Sequence, residues 1–223
     1  MDFQEKISAV ADFWNDASDE FDKQHATEDL ALWSIELEKA ISLHGDGSIL
    51  DVGTGTGFLA LLLAELGYDV SAVDIAERML QIGVEKARQS GFAIKFLKGE
   101  CEKLPFSDEC FDAVVNCRVM WTLTDPEAAV REWTRVLRTG GRVISFMRIM
   151  NVGETGKHGE MPGDNAGYYG NGVELPLLCG KREDYIAVYR AAGLDEITVT
   201  ELPSEMSHAE DMPGWTMFIG MKK

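Results

Sequence analysis

Apolar residues recur at helical spacing in two stretches near the start of the chain: Phe3, Ile7, Val10 and Trp14, then Leu30, Trp33, Leu37 and Ile41. Steps of three and four residues share one helical face. The pattern predicts two helices with acidic outer faces within residues 1 to about 44, separated by a polar stretch from Asn15 to Thr27. From Ser48 short apolar runs alternate with helical segments, as in a parallel sheet covered on both faces. Strands are expected near 48–52, 69–73, 94–98, 111–116 and 142–148, and helices at 57–66, 76–90 and 126–138. Asp125 before Pro126 supplies an N-cap with proline at the first helical position, and Gly140-Gly141 is expected to end that helix. From Met150 to Gly180 the chain is rich in glycine and too long for a simple connection. It reads as a binding loop or lid, or as a surface insertion without fixed structure. A helix at 181–192 follows, and Glu196 to Leu202 with Trp215 to Met221 read as a closing antiparallel pair.

The chain's 223 residues suit one α/β domain with insertions. Hydrophobic residues at 45% and charged residues at 26% are the composition of a folded, soluble chain. A net charge of −17 repels phosphate backbones and anionic lipid headgroups, and no Lys/Arg run offsets it locally. Nucleic acid and membrane surfaces are therefore not expected as partners. Cys101, Cys110, Cys117 and Cys179 match no common zinc or disulfide spacing, and no two of the four histidines sit at a metal-ligand spacing, so no metal is expected. The first residues lack a basic stretch followed by an apolar core, and the most apolar segment, Phe58 to Leu66, is interrupted by Glu65. These features predict a cytoplasmic protein and leave its oligomeric state open.

The most informative segment is Ile49-Leu50-Asp51-Val52-Gly53-Thr54-Gly55-Thr56-Gly57-Phe58-Leu59, a strand, a glycine-rich turn and a helix in direct succession. Such a turn lets a ligand approach the backbone, and the free N–H groups of the following helix favour an anionic group. That group is either a pyrophosphate or an amino-acid carboxylate. A dinucleotide turn requires a small residue where Phe58 stands, and no Gly-Lys-Ser/Thr follows to mark a triphosphate loop. Asp74 ends the next strand about twenty residues on, where a carboxylate accepts from ribose hydroxyls. The alternative for Asp74 is a solvated strand end or a helix N-cap.

At this point the chain resembles the class I S-adenosylmethionine-dependent methyltransferases, in particular the small-molecule group that includes the ubiquinone and menaquinone biosynthesis enzymes. The likeness rests on Leu50 to Gly57, Val73-Asp74-Ile75, Gly99 to Phe106, Phe111 to Val115 and Arg135 to Arg142, in the family's order. It implies a Rossmann-like, doubly wound, seven-stranded and mostly parallel sheet with an antiparallel last strand over residues 45–223. An N-terminal helical cap would span 1–44, and a lid insertion about 150–180. It further implies that Asp51, Gly53, Thr54, Gly55 and Gly57 line the methionine half of the cofactor and that Asp74 holds its ribose. Ile75 and Met79 would border the adenine, Glu100 would accept from its amine, and the Cys101 backbone would meet the ring edge. The common pattern at the last two positions is aspartate and alanine. Asn116 falls where the family places sulfonium and acceptor.

Methyl transfer from a sulfonium needs mainly an acceptor held in line and shielded from water. A base is required only for an acceptor that must lose a proton. The resemblance folds the stretch containing Trp14, Phe21 and His25 over the cofactor, which makes His25 the candidate base, with a solvent-exposed helix flank as its alternative. His158 and Trp14 are further candidates at the acceptor, and Trp121, Tyr168 and Tyr169 are candidates for an aromatic wall around a planar or cationic small molecule, with core packing as the alternative for Trp121. Two rival functions share the same turn and Asp74: a nicotinamide-dependent oxidoreductase, which would have to tolerate Phe58, and a non-catalytic binding subunit that keeps the fold.

Overall fold

The computed structural model describes residues 2–24, 26, 28–42, 47–149, 173, 175–178, 180–206 and 214–223. Two helices come first, α1 over Phe3–Gln24 and α2 over Leu30–Ile41. The polar stretch expected from Asn15 onward is instead the second half of α1. Its inner side continues through Trp14, Ser18 and Phe21, and Ser18 is buried with its hydroxyl donating to the Asn15 carbonyl. The hydrophilic character of this half reflects an outer face in water. Asp29 caps α2 by accepting from the Leu32 N–H.

The alternating units follow: β1 (Ser48–Val52), α3 (Phe58–Glu65), β2 (Asp69–Asp74), α4 (Glu77–Ser90), β3 (Lys95–Lys98), β4 (Phe111–Cys117), α5 (Pro126–Val136) and β5 (Leu137–Arg148). Then come α6 (Arg182–Ala191), β6 (Leu194–Glu201) and β7 (Trp215–Lys222). The seven strands form one sheet in the order β3-β2-β1-β4-β5-β7-β6. Strands β1 to β5 pair parallel, and β7 runs antiparallel to both of its neighbours. This is the expected Rossmann-like architecture with one reversed strand.

One boundary differs. Asp125 and Pro126 start α5 as expected, with the Asp125 carboxylate accepting from the Ala128 N–H. Gly140-Gly141 does not end the helix, because the chain enters β5 at Leu137 and both glycines lie inside the strand. Pairing with β4 shifts between Phe111↔Leu137 and Ala113↔Arg142, so the glycines occupy a bulge. A Cβ on Gly141 would stand 2.9 Å from the carbonyl oxygens of Arg138 and Asp112, which only glycine avoids.

Both faces of the sheet are covered. Trp33 and Leu37 of α2 and Leu59 and Leu63 of α3 pack with Ile49, Val115 and Phe146 on one side. Trp133 of α5 and Tyr185 and Tyr189 of α6 pack with Val114, Val143 and Phe218 on the other. Helix α2 is thus part of the core. The strands' carboxyl ends, with the glycine turn after β1 and Asp74 at the end of β2, are covered among the described residues by α1 and the connection after β4.

Candidate active site

The turn between β1 and α3 is built by glycines in the left-handed region: φ is 63° at Gly53, 54° at Gly55 and 87° at Gly57. Gly53 is also tightly enclosed. A Cβ there would lie 3.0 Å from Cγ1 of Val119 and closer still to Cγ2. The turn is fixed from beneath by two buried carboxylates. Asp51 Oδ2 accepts from the Thr54 hydroxyl at 2.6 Å and from the Ala60 N–H at 3.1 Å. Asp74 accepts from the Gly55 N–H at 2.7 Å through Oδ2 and from the Ala76 N–H at 2.8 Å through Oδ1. Asp74 therefore joins the glycine turn to the start of α4; it is buried rather than solvated, and the N-cap position of α4 is Ala76.

Burial pushes both carboxyl groups above their ordinary values, Asp51 to about 7, and the hydrogen bonds they accept oppose it. Burial likewise pushes the Cys101 thiol well up and that of Cys117 to about 12, so both are neutral thiols near pH 7 and no thiolate nucleophile lies at these positions.

Helix α1 lies across this turn. The Phe21 ring edge comes within 3.8 Å of where a Gly55 Cβ would stand, and the Thr56 hydroxyl donates to Asp22 at 2.6 Å. Further along, Asn15 accepts from the Arg78 N–H at 2.9 Å, and Lys86 pairs with Asp22 at 2.6 Å. Trp14 packs with Val10, Ile75 and Trp121, meeting Trp121 edge-on at 6.2 Å between ring centres and Phe21 at 6.0 Å. The structure thus brings Trp14, Trp121 and Ile75 together beside the glycine turn. Met79 is buried in α4, one turn beyond Asp74, and Glu100 forms a bridge with Lys103. The Cys101 carbonyl accepts from the Trp133 indole N–H at 3.1 Å, which holds this connection against α5.

The Asn116 side chain points into the sheet's interior rather than past its edge. Its amide donates to the Ser145 hydroxyl at 2.7 Å, and Ser145 in turn bonds the Tyr189 hydroxyl. His25, His158, Tyr168 and Tyr169 lie outside the described residues. Among the described residues, no group of three or more His, Cys, Asp or Glu could hold a metal ion, and no helix is long and apolar enough to cross a membrane.

Sequence reasoning missed a charged cluster at the same end of the sheet. Glu28, between α1 and α2, has a side chain only 4% exposed. Its Oε1 pairs with Arg118 at 2.6 Å and with Arg148 at 3.6 Å, while Oε2 accepts from the indole N–H groups of Trp33 at 2.9 Å and Trp215 at 3.2 Å. Both guanidinium carbons stack on the Trp215 ring, at 4.6 Å for Arg118 and 4.5 Å for Arg148. The cluster joins five separate chain segments, and nothing in local pattern or motif spacing links them.

The sheet order, the reversed β7, the glycine turn after β1 and the carboxylate ending β2 define a Rossmann-like methyltransferase architecture. A Thermotoga maritima structure described as a S-adenosylmethionine-dependent methyltransferase, possible histamine N-methyltransferase, shares the fold. Its TM-score is 0.68 at 21% identity, covering 96% of this chain and all of that one. The [4+2]-cyclase SpnF shares it as well, with a TM-score of 0.66 at 21% identity over 85% of this chain and 79% of that one. Residues 50–145 match the family described as a methyltransferase domain. In sequence, a Thermus thermophilus demethylmenaquinone methyltransferase is 43% identical over 98 residues, 43% of this chain and 44% of that protein. A ubiquinone/menaquinone biosynthesis C-methyltransferase of Xylella fastidiosa is 31% identical over 156 residues, 66% of this chain and 62% of that protein. The chain spans about half the length of the curated relatives it matches. Residues 50–145 thus match a methyltransferase domain, and the relatives in sequence are named as demethylmenaquinone and ubiquinone/menaquinone biosynthesis methyltransferases.

Proposed function

We propose that this chain transfers a methyl group from S-adenosylmethionine to a small-molecule acceptor by in-line displacement. The observation that carries the reading is the pairing of a side-chain-free turn, Gly53 to Gly57, with the Asp74 carboxylate that holds it. These residues fit the cofactor. The turn brings backbone close to a ligand's amino-acid portion, and Asp74 is an acceptor for ribose hydroxyls. Ile75 and Met79 offer apolar surface for a purine next to it. When bound, the cofactor supplies an electrophilic methyl group on a sulfonium.

The chain's own work is then to hold, orient and exclude water. Asp51 acts from below by fixing Thr54 and the start of α3, and so presents the turn. Helix α1 closes over it, with Trp14 and Trp121 forming an apolar wall that removes water from the reacting end. Positioning of this kind supplies most of the acceleration that such a displacement requires. For a hydroxyl or ammonium acceptor, His25 is the first residue to test as the base, and His158, Tyr168 and Tyr169 the first to test for acceptor binding. The net charge of −17 supports a small molecule over nucleic acid or an anionic membrane as the acceptor's source. Quinol-type aromatic acceptors head the screen, because the relatives in sequence are named for demethylmenaquinone and ubiquinone methylation and the wall is aromatic.

Calorimetric titration with S-adenosylhomocysteine, S-adenosylmethionine and NADH, repeated on Asp74→Ala, tests the cofactor. The expected result is saturable binding of both sulfur ligands, at least tenfold weaker in the variant, and none of NADH. Binding of NADH alone would replace this reading with the oxidoreductase, and cofactor binding without turnover on any acceptor would favour a binding subunit.

A further inference from the structure

We propose that Glu28 is a positioning residue for the cofactor site, fastening α1 over the glycine turn and seating the chain after β4 against that turn. The proposal rests on the methyltransferase reading above and concerns a residue outside every motif that supports it.

The argument starts from the cost of the arrangement. A carboxylate withdrawn from water needs compensating partners, and a single arginine would neutralise it. Glu28 has more than that. One oxygen faces two guanidinium groups and the other faces two indole N–H groups, from α2, the ends of β4 and β5, and the start of β7. Four donors around one carboxylate fix its rotamer and hence the backbone that carries it. Helix α1 ends only four residues earlier, at Gln24, so its last turn stays within about 14 Å of the anchor even with the chain extended. That last turn contains Phe21 and Asp22, the two residues that touch the glycine turn at Gly55 and Thr56. Holding Glu28 therefore holds the part of α1 that closes the pocket.

The same carboxylate acts on the other wall. Arg118 has φ at 65°, in the left-handed region that a residue with a long side chain rarely adopts. Strain of this kind persists only where surrounding contacts impose it. Here they are the ion pair to Glu28 and stacking on Trp215 and on Phe58, the first residue of α3. The turn at Arg118 delivers Val119 onto Gly53. Glu28 thus governs the turn from both sides, through α1 at Gly55 and through Arg118 at Gly53.

Stopped-flow measurement of S-adenosylhomocysteine binding and release, read by tryptophan fluorescence, tests the proposal on the unaltered chain, Glu28→Gln, Arg118→Lys and Trp33→Phe. Thermal melts run alongside. Glu28→Gln and Arg118→Lys are expected to release the ligand at least fivefold faster, with association rates changed less than twofold. Trp33→Phe removes one donor and some core volume but leaves the Glu28–Arg118 pair intact, so it should lower the melting temperature without altering release. If Glu28→Gln does not fold, Arg118→Lys carries the test. Release at the unaltered rate in both Glu28→Gln and Arg118→Lys, with only a lower melting temperature, would make the cluster purely structural and overturn the proposal while leaving the cofactor reading in place. Failure of the unaltered chain to bind would overturn both.

Discussion

Gly53→Ala is a sharp test of the turn, because its cost divides into two parts that can be separated. An alanine at φ 63° is held in the left-handed region, which costs about 1–2 kcal/mol. Its Cβ would also stand 3.0 Å from Cγ1 of Val119 and nearer to Cγ2, well inside the ~3.5–4.0 Å of an ordinary carbon contact. Overpacking of this kind costs about 1–3 kcal/mol. The two together amount to about 2–5 kcal/mol, a large part of the ~5–15 kcal/mol that holds a typical domain folded. Val119→Ala removes the offending methyl groups at a cost of about 1.5 kcal/mol in buried surface. In that background Gly53→Ala should cost mainly the backbone part, with a smaller remainder from the residue 119 Cβ at 3.3 Å. Urea denaturation of the four chains of this cycle gives the coupling directly, and a favourable value of about 1–3 kcal/mol is expected for the double substitution. Gly53→Ala should also weaken S-adenosylhomocysteine binding in both backgrounds, since the backbone conformation remains wrong. A coupling within about 0.5 kcal/mol of zero, the range found for independent sites, would refute the claim that Val119 is seated on the turn. So would a Gly53→Ala chain as stable as the parent.

Other outcomes follow from the buried polar groups. Asp51 has a folded pKa of about 7, above its ordinary value, so the folded chain takes up a proton more readily than the unfolded one. The stability linked to this group is fully present below about pH 4 and is lost as pH rises through about 7. Asp51→Asn should therefore flatten the stability profile between pH 5 and pH 8 in chemical denaturation, and an unchanged slope would contradict the burial argument. Tyr189→Phe removes the hydroxyl that Ser145 shares inside the sheet, at a cost of about 1–2 kcal/mol in the melt. Its S-adenosylhomocysteine affinity should stay unchanged, because this network lies on the α6 side and does not reach the glycine turn. Thr56→Val breaks the link to Asp22 while keeping the side chain's shape, and calorimetry should show S-adenosylhomocysteine binding two- to tenfold weaker.

The parts of the fold that were legible in sequence are those written in local pattern. The strand of Ile49 to Val52, the three glycines after it and Asp74 at the end of the next strand announce their roles within about twenty-five residues of each other. The second half of α1 was not legible, because between Asn15 and Lys23 only Ser18 is buried and Phe21 is the one large apolar residue. Gly140-Gly141 reads as a helix end by local chemistry, but the β-bulge against β4 uses the same conformational freedom within a strand. Asn116 stands at the expected place along β4, yet the strand's alternation turns its side chain toward Ser145 and Tyr189. Glu28 carried no sequence signal at all. An isolated glutamate in a polar connection looks like any solvated acid until folding brings Arg118, Arg148 and Trp215 to it.

The position of β7 bears on how the molecule is made. It follows every other strand in the chain, yet it lies between β5 and β6. During synthesis β5 can join the parallel sheet as it emerges, whereas β6 has no neighbour to pair with until β7 arrives between them. Trp215, the first residue of β7, is also the surface on which Arg118 and Arg148 stack. A nascent chain that already displays a complete glycine turn would therefore lack the ring on which both arginines stack and would hold an unpaired strand. The late strand completes the sheet and the surface on which both arginines stack in one event, so slow cofactor release should report that synthesis has passed β7.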